Sequence, residues 1–257
     1  MNAQPVKHPY PRGGAARAAR LAVSRARRNV DLRGVLAPDI VSQGPRPLCV
    51  AFAVSVGHEA GRTRFGALPE PLAPEPIWAY CTGHGQTGPA GMRLDHAGTA
   101  LAARGQPPLS QWPYNDQLGI GTEDPPDTTI GIPPWHTGTV RQLHLVHDGV
   151  EDELEDVLAA ATPVVLLVEV TDEFDDPHED GHVDVPDIRA RTGDYHAVVC
   201  VGAATHPTHG RRLLIRNSWG EFWGAGGYCW LPLAYLIAFV PLAAVVQPAP
   251  QRLNAEQ

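Results

Sequence analysis

Three side chains spread along the chain, Cys49, His196 and Asn217, are the types needed for a sulfur nucleophile, a proton shuttle and the amide that orients it. Cys49 stands where the Pro-bounded loop Pro45-Arg46-Pro47-Leu48 runs into the apolar segment Val50-Ala51-Phe52-Ala53. A helix beginning there offers free N–H groups and partial positive charge, which favour a thiolate by roughly 0.3–1 kcal/mol. An adjacent imidazolium does more, bringing a thiol pKa to roughly 3–4 in the best-known pair of this kind. His196 follows Asp194-Tyr195 at the head of a strand, and Asn217 follows the next strand. The Asn217 carboxamide oxygen is expected to accept the Nδ1 proton of His196, with Trp219 as a roof that excludes water. Cys49 and His196 are 147 residues apart, and His196 and Asn217 are 21 apart, so the three must meet across a cleft between two halves of the chain.

Two other motifs carry rival chemistry. Gly83-His84-Gly85-Gln86-Thr87-Gly88 has the letters of a dinucleotide fingerprint, but no strand leads into it and Pro89 and Gly91 follow. It reads as a loop. His178-Glu179-Asp180-Gly181-His182 has the letters of a zinc-hydrolase motif, which requires both histidines on one helical face. Pro177, Gly181 and the surrounding acids oppose a helix, so a solvated acidic loop is expected.

The elements that must position these residues follow from periodicity. Leu48 to Ala60 reads as a buried helix, and Leu94 to Arg104 as a second one closed by Gly105. Val150 to Ala161 places Val150, Leu154, Val157, Leu158 and Ala161 on one face of an acidic amphipathic helix. Val164 to Val170 is a nearly continuous apolar run, hence a buried strand, and Thr171 to Gly193 reads as a long acidic loop. Ala197–Gly202, Leu213–Arg216 and Tyr228–Leu231 are further strands, the first two separated by a turn. Helices first and strands later make an α+β protein in two halves that change over near Pro133-Pro134. The expected division is a basic arm over 1–29, a mainly helical lobe over 30–132 with the nucleophile, a β-rich lobe over 133–247 with His196 and Asn217, and a tail over 248–257.

Composition excludes several classes. The 257 residues suffice for a sizeable core, and 43% of them are hydrophobic against 19% charged, as in a globular chain. A net charge of −8 argues against nucleic acid as a partner. No run of eighteen apolar residues occurs, so no membrane span is expected. Four cysteines at Cys49, Cys81, Cys200 and Cys229 are too few for a disulfide scaffold and match no zinc ribbon. Residues 1–34 hold eight of the twenty basic residues but no apolar core of a secretory signal, and 26 Gly with 26 Pro predict many ordered loops.

The sequence resembles the papain-like cysteine peptidases from about Val30 to about Leu233. The run from Asn217 to Tyr228 matches that family's N-S-W-G-x-x-W-G-x-x-G-Y pattern at each specified position, and Gln43 lies six residues before Cys49. Gly91 to Tyr114, ending Trp112-Pro113-Tyr114, looks like the compact bacterial-type members. The resemblance implies a two-lobed α+β fold, with a helical lobe and an antiparallel β-barrel-like lobe on either side of the cleft. It implies a cysteine endopeptidase with no cofactor and no metal, acting on protein or peptide. Its catalytic residues are Gln43 (oxyanion hole), Cys49, His196 and Asn217. Gly91, Tyr195 and Trp219 line the substrate.

The departures matter too. Pro45-Arg46-Pro47-Leu48 replaces the usual Ser-Cys-Gly-Ser, so Arg46 removes a disulfide, and Val50 replaces an aromatic residue. These changes suit a reducing, cytoplasmic setting or an effector delivered without a secretory signal. Too few residues precede the mature-like start for the usual inhibitory pro-domain, so restraint is expected from a regulatory or inhibitory protein partner, from location or from the basic arm. The acidic loop before His196 suggests a preference for basic substrate residues. An acyl transferase or a catalytically silent binding module on the same fold remains open, and a zinc hydrolase built on His178 and His182 is the remote alternative.

Overall fold

The computed structural model describes residues 28–125, 130–131, 133–143, 150–186 and 194–250. Apart from Arg28 and Asn29, the expected basic arm lies outside the described residues, as does the tail beyond Pro250. In chain order the elements are β1 (Val30–Asp31), α1 (Cys49–Arg64), α2 (Glu75–Gly83), β2 (Thr87–Gly88), β3 (Gly91–Met92), α3 (Leu94–Arg104), β4 (Gly138–Leu143), α4 (Val150–Ala159), β5 (Val164–Glu169), α5 (Asp172–Asp175), β6 (Tyr195–His206), β7 (Gly210–Arg216), β8 (Tyr228–Pro232), α6 (Leu233–Phe239) and β9 (Leu242–Pro248).

Helix α1 is apolar on nearly every side from Val50 to Ala60, and it therefore has to be surrounded. It packs on β5, β6 and β9 on one side and on α2 and α3 on the other. Gly57 and Gly61 make its close approach to β9 feasible: a Cβ at either would stand 2.8 Å from Val246 or 2.6 Å from Pro248. Inside this packing Gln106 is a polar node. His58 Nδ1 donates to its Oε1 at 3.0 Å, and its Nε2 donates to Ser55 Oγ at 2.5 Å and to the Ala73 carbonyl at 2.7 Å. Burial holds His58 in the neutral form and lowers its pKa to about 4.

The sheet is antiparallel in the order β4-β9-β5-β6-β7-β8, with β1 added alongside the second half of β6. Strands β5 and β6 are buried along nearly all of their length, so both faces are covered. Helix α1 lies on β5, β6 and β9, while α4 and α6 cover the strands from β5 to β8. The sheet is therefore open and not closed into the expected barrel-like form; helices, not further strands, bury its faces. The order of elements differs as well. Helices α4, α5 and α6 are interleaved with the strands, so the change from helix to strand is less complete than the sequence reading expects.

Helix α3 spans Leu94–Arg104 and ends at Gly105, as the pattern predicts. Helix α4 stops two residues short of the expected Ala161. The Gly83–Gly88 motif starts at the last residue of α2 and runs through a turn into β2. Its backbone therefore lies at a helix C-terminus, the wrong end for phosphate.

Buried neutral His58 has a consequence for stability. Above pH 6.5 it is neutral folded or unfolded, but between 6.5 and about 4 only the unfolded chain takes the proton, so stability falls as pH falls through that window. Urea unfolding at pH 7 and pH 4.5 should show a loss, and His58→Asn should reduce that loss by about 2 kcal/mol. An unchanged difference in the variant would contradict the assignment.

Candidate active site

Cys49 is the first residue of α1, after the tight turn Gln43–Leu48. That turn requires Gly44: its φ is +58°, and a Cβ would stand 2.1 Å from the Asp116 carbonyl oxygen. Backbone N–H groups of Ala197 on β6 and of Cys49 and Val50 at the start of α1 act on the half-buried Cys49 thiol. Burial is the larger influence and pushes the thiol up, while these three N–H groups pull it down. The N–H donation expected of a helix start is therefore present, but it does not outweigh desolvation.

His196, the residue before Ala197, sits opposite Val168 on β5. Its Nε2 donates to Asn217 Oδ1 at 2.6 Å. This corrects the expectation that Nδ1 would face Asn217. With Nε2 engaged, Nδ1 is the ring nitrogen left to exchange a proton. Asn217 Oδ1 also accepts from the Ser218 amide at 2.8 Å, and its Nδ2 is buried without a partner. Burial pulls His196 down to about 4, opposed by the Asn217 hydrogen bond.

Trp219 lies over the His196 ring with centroids 4.5 Å apart and planes inclined 31°. Its own support comes from residues not singled out in the sequence. Phe174, fully buried on α5, stands 5.7 Å from Trp219, 5.2 Å from Trp223, 6.2 Å from Tyr235 and 6.3 Å from His196. The expected uninterrupted acidic loop is thus pinned near its start. Thr171 caps α5 through its side chain, and Tyr235 Oη donates to the Glu169 carbonyl at 2.7 Å. Thr171 followed by Asp172 and Glu173 is an N-cap signature that could have located α5.

Comparison with known proteins decides the family. A model described as "Papain family cysteine protease" matches residues 81–234, more than half of the chain and including His196 and Asn217. The chain belongs to the papain family. The structure of digestive procathepsin L 3 of Tenebrio molitor larval midgut is similar over 88% of this chain and 72% of that one, with a TM-score of 0.67 and 21% identity, which shows the fold. Silicatein of Petrosia ficiformis is 31% identical over 98 residues, 38% of this chain. The match spans 27% of the silicatein's own length.

Within this papain-family frame the remaining candidates lie beside the loop ahead of Cys49 or beside His196 and Asn217. Gln43 is buried; its Oε1 accepts from Ser218 Oγ at 2.7 Å and its Nε2 donates to the Arg46 carbonyl at 3.0 Å. Its backbone N–H donates to the Ser218 carbonyl at 2.8 Å, which ties the nucleophile loop to the asparagine block. Gly91 lies against the same loop, where a Cβ would stand 2.8 Å from the Pro47 carbonyl oxygen. Tyr195 is the half-buried neighbour of His196, paired with Glu169. The two histidines of the rival zinc motif do not lie on one helical face. His178 Nε2 pairs with Asp184 Oδ2 at 2.9 Å in solvent, whereas His182 is buried.

Arg46, the residue in place of a disulfide cysteine, is almost fully buried and forms a two-pronged ion pair with Glu75 in the first turn of α2. Its guanidinium also lies 5.6 Å from the Tyr114 ring and 6.0 Å from that of Trp78. An ion pair thus fastens the nucleophile loop to α2. Removing one partner from such a pair strands the other charge out of water, at about 3–5 kcal/mol. Glu75→Gln should lose stability of that order in denaturant unfolding, and Arg46→Met with Glu75→Leu should recover most of it. A loss below about 1 kcal/mol, the range of an exposed pair, would contradict this role.

Proposed function

We propose that this papain-family chain is a cysteine endopeptidase in which Cys49, His196 and Asn217 form the catalytic triad and Gln43 completes the oxyanion hole. One observation carries the reading: the backbone of Ala197 meets the Cys49 thiol, and the residue before it, His196, is buried with its Nε2 held by Asn217. A nucleophile, a base and its orienting group would act in that order.

The chemistry follows from the free atoms. Cys49 passes its proton to His196 Nδ1 as the sulfur adds to the peptide carbonyl carbon. Transfer within the pair creates two opposite charges in contact, so burial that opposes each charge alone opposes the pair much less. The Cys49 N–H and the second N–H of Gln43 Nε2 receive the oxyanion; one such donor is worth roughly 2.7–4 kcal/mol in a comparable hydrolase. The C–N bond breaks as His196 returns the proton to the leaving amine, which leaves a thioester. His196 then takes a proton from water, the hydroxide adds, and the sulfur leaves with that proton restored. The backbones of Gly91 and Tyr195 are assigned to pair with an extended substrate, and Trp219 to line the leaving-group side.

The test is hydrolysis of a mixed peptide library with mass-spectrometric identification of the products, followed by pH profiles on the best substrate. Internal cleavage is expected, and Cys49→Ala should abolish it. Protonating His196 removes the base, so kcat/KM should fall as pH drops through about 4 and not through the ordinary value of 6.5. Cleavage that survives Cys49→Ala, or amide exchange to an added amine without hydrolysis, would overturn the assignment.

A further inference from the structure

Three histidines outside the active site converge at the far end of the sheet. His182 comes from the loop after α5, and His206 and His209 come from the turn between β6 and β7. One ring nitrogen from each lies within 4.8 Å of the others, and the ring centroids are 4.2 to 4.9 Å apart. His182 is buried, and the other two are exposed. We propose that these three imidazoles form a binding site for a divalent transition-metal ion of the zinc type, which clips the 178–183 loop to the β6–β7 turn.

The ligand set fits the ion. Imidazole nitrogens suit Zn²⁺ and its neighbours, whereas Ca²⁺ and Mg²⁺ require oxygen. A tetrahedral ion with Zn–N distances of about 2.0–2.1 Å holds its nitrogens roughly 3.3 Å apart. Rotations of two exposed side chains on a turn suffice to close the observed separation. The fourth position is open to solvent in the recess lined by His178, Glu179, Asp180, His182 and His209.

The surroundings are those of a metal site. Asp180 Oδ2 stands 3.0 Å from His182 Nδ1, not aligned for a hydrogen bond here but near enough to take that ring proton once Nε2 ligates the ion. His206 Nδ1 accepts from the Thr208 and His209 amides at 3.3 Å and lies 3.0 Å from Thr208 Oγ1. Ligation requires this exposed ring to turn, so that its unprotonated nitrogen leaves the two amides for the ion. Glu179, Asp180 and Asp184 add negative charge. Arg212 is the opposing charge, but it is bound to the Val183 and His209 carbonyls at 2.6 and 3.1 Å and so already fastens the two segments. Backbone bonds fix the frame: His178 N–H to the His182 carbonyl, and Trp230 N–H on β8 to the Gly181 carbonyl. The clip would steady the chain segment that begins with Phe174, the buried ring beneath Trp219.

The test uses the full-length, untagged chain carrying Cys49→Ala, so that the thiol and His196 do not compete for metal. Calorimetric titration with ZnCl₂ should show one saturable site, and thermal unfolding should shift upward with added metal. Co²⁺ should give visible d–d absorption with no thiolate-to-cobalt charge-transfer band. The double variant His206→Asn, His209→Asn, folded by circular dichroism, should lose the binding, the Tm shift and the Co²⁺ spectrum together. Asp180→Asn should weaken binding about 10–100-fold, and His84→Asn, at the exposed end of α2, should leave it unchanged. No saturable binding, or binding that the double variant retains, would overturn the proposal.

Discussion

An imidazole removed from water is useful as a base only if its neutral form is favoured and its proton-accepting nitrogen faces the right way. In this protein burial supplies the first, and the hydrogen bond between His196 Nε2 and Asn217 Oδ1 at 2.6 Å, made where solvent is excluded, supplies the second. The bond fixes the tautomer, burial sets the proton affinity, and the direction of Nδ1 follows. The strands and aromatic rings around it serve that bond. Strand β6 delivers His196, the end of β7 delivers Asn217, and Trp219 covers the pair. Phe174, Trp223 and Tyr235 keep Trp219 in place.

The sulfur has a different set of constraints. It must sit at a helix start yet reach a strand of the sheet, so α1 has to lie flat against β6 and β9. Gly57 and Gly61 permit that approach, and the Gln43–Ser218 hydrogen bonds hold the loop ahead of the helix against the asparagine block. Arg46 and Glu75 then secure the same loop from the side of α2. A buried ion pair is costly to assemble and more costly to break, which suits a joint that has to stay closed.

Much of this was legible in the sequence because the positions obey strong local rules. Cys49 at a loop-to-helix boundary, Gly105 after Arg104 and the apolar run from Val164 can each be read one element at a time. What escaped depends on contacts between distant segments. Glu75 looks like any first-turn acid until Arg46 is placed beside it. Phe174 is a single apolar residue among acids, and only its fully buried ring reveals it as part of the site. His182, His206 and His209 belong to two loops that appear solvated when each is considered alone. The barrel-like closure failed for a related reason: strand patterning tells which residues are buried, not whether helices or further strands bury them.

The pairing of Cys49 with His196 is tested most directly by the rate of iodoacetamide alkylation at Cys49 as a function of pH, in the parent chain and in His196→Ala. Cys81, Cys200 and Cys229 are fully buried and serve as internal controls when labelling is located by peptide mapping. Cys49 in the parent should stay reactive below neutral pH, because His196 is neutral down to about 4 and can take the thiol proton as the sulfur adds, and His196→Ala should move its reactivity into the alkaline range. Equal profiles for the two proteins, or a Cys49 that stays unreactive at acidic pH in the parent, would mean that the sulfur and the imidazole do not act together.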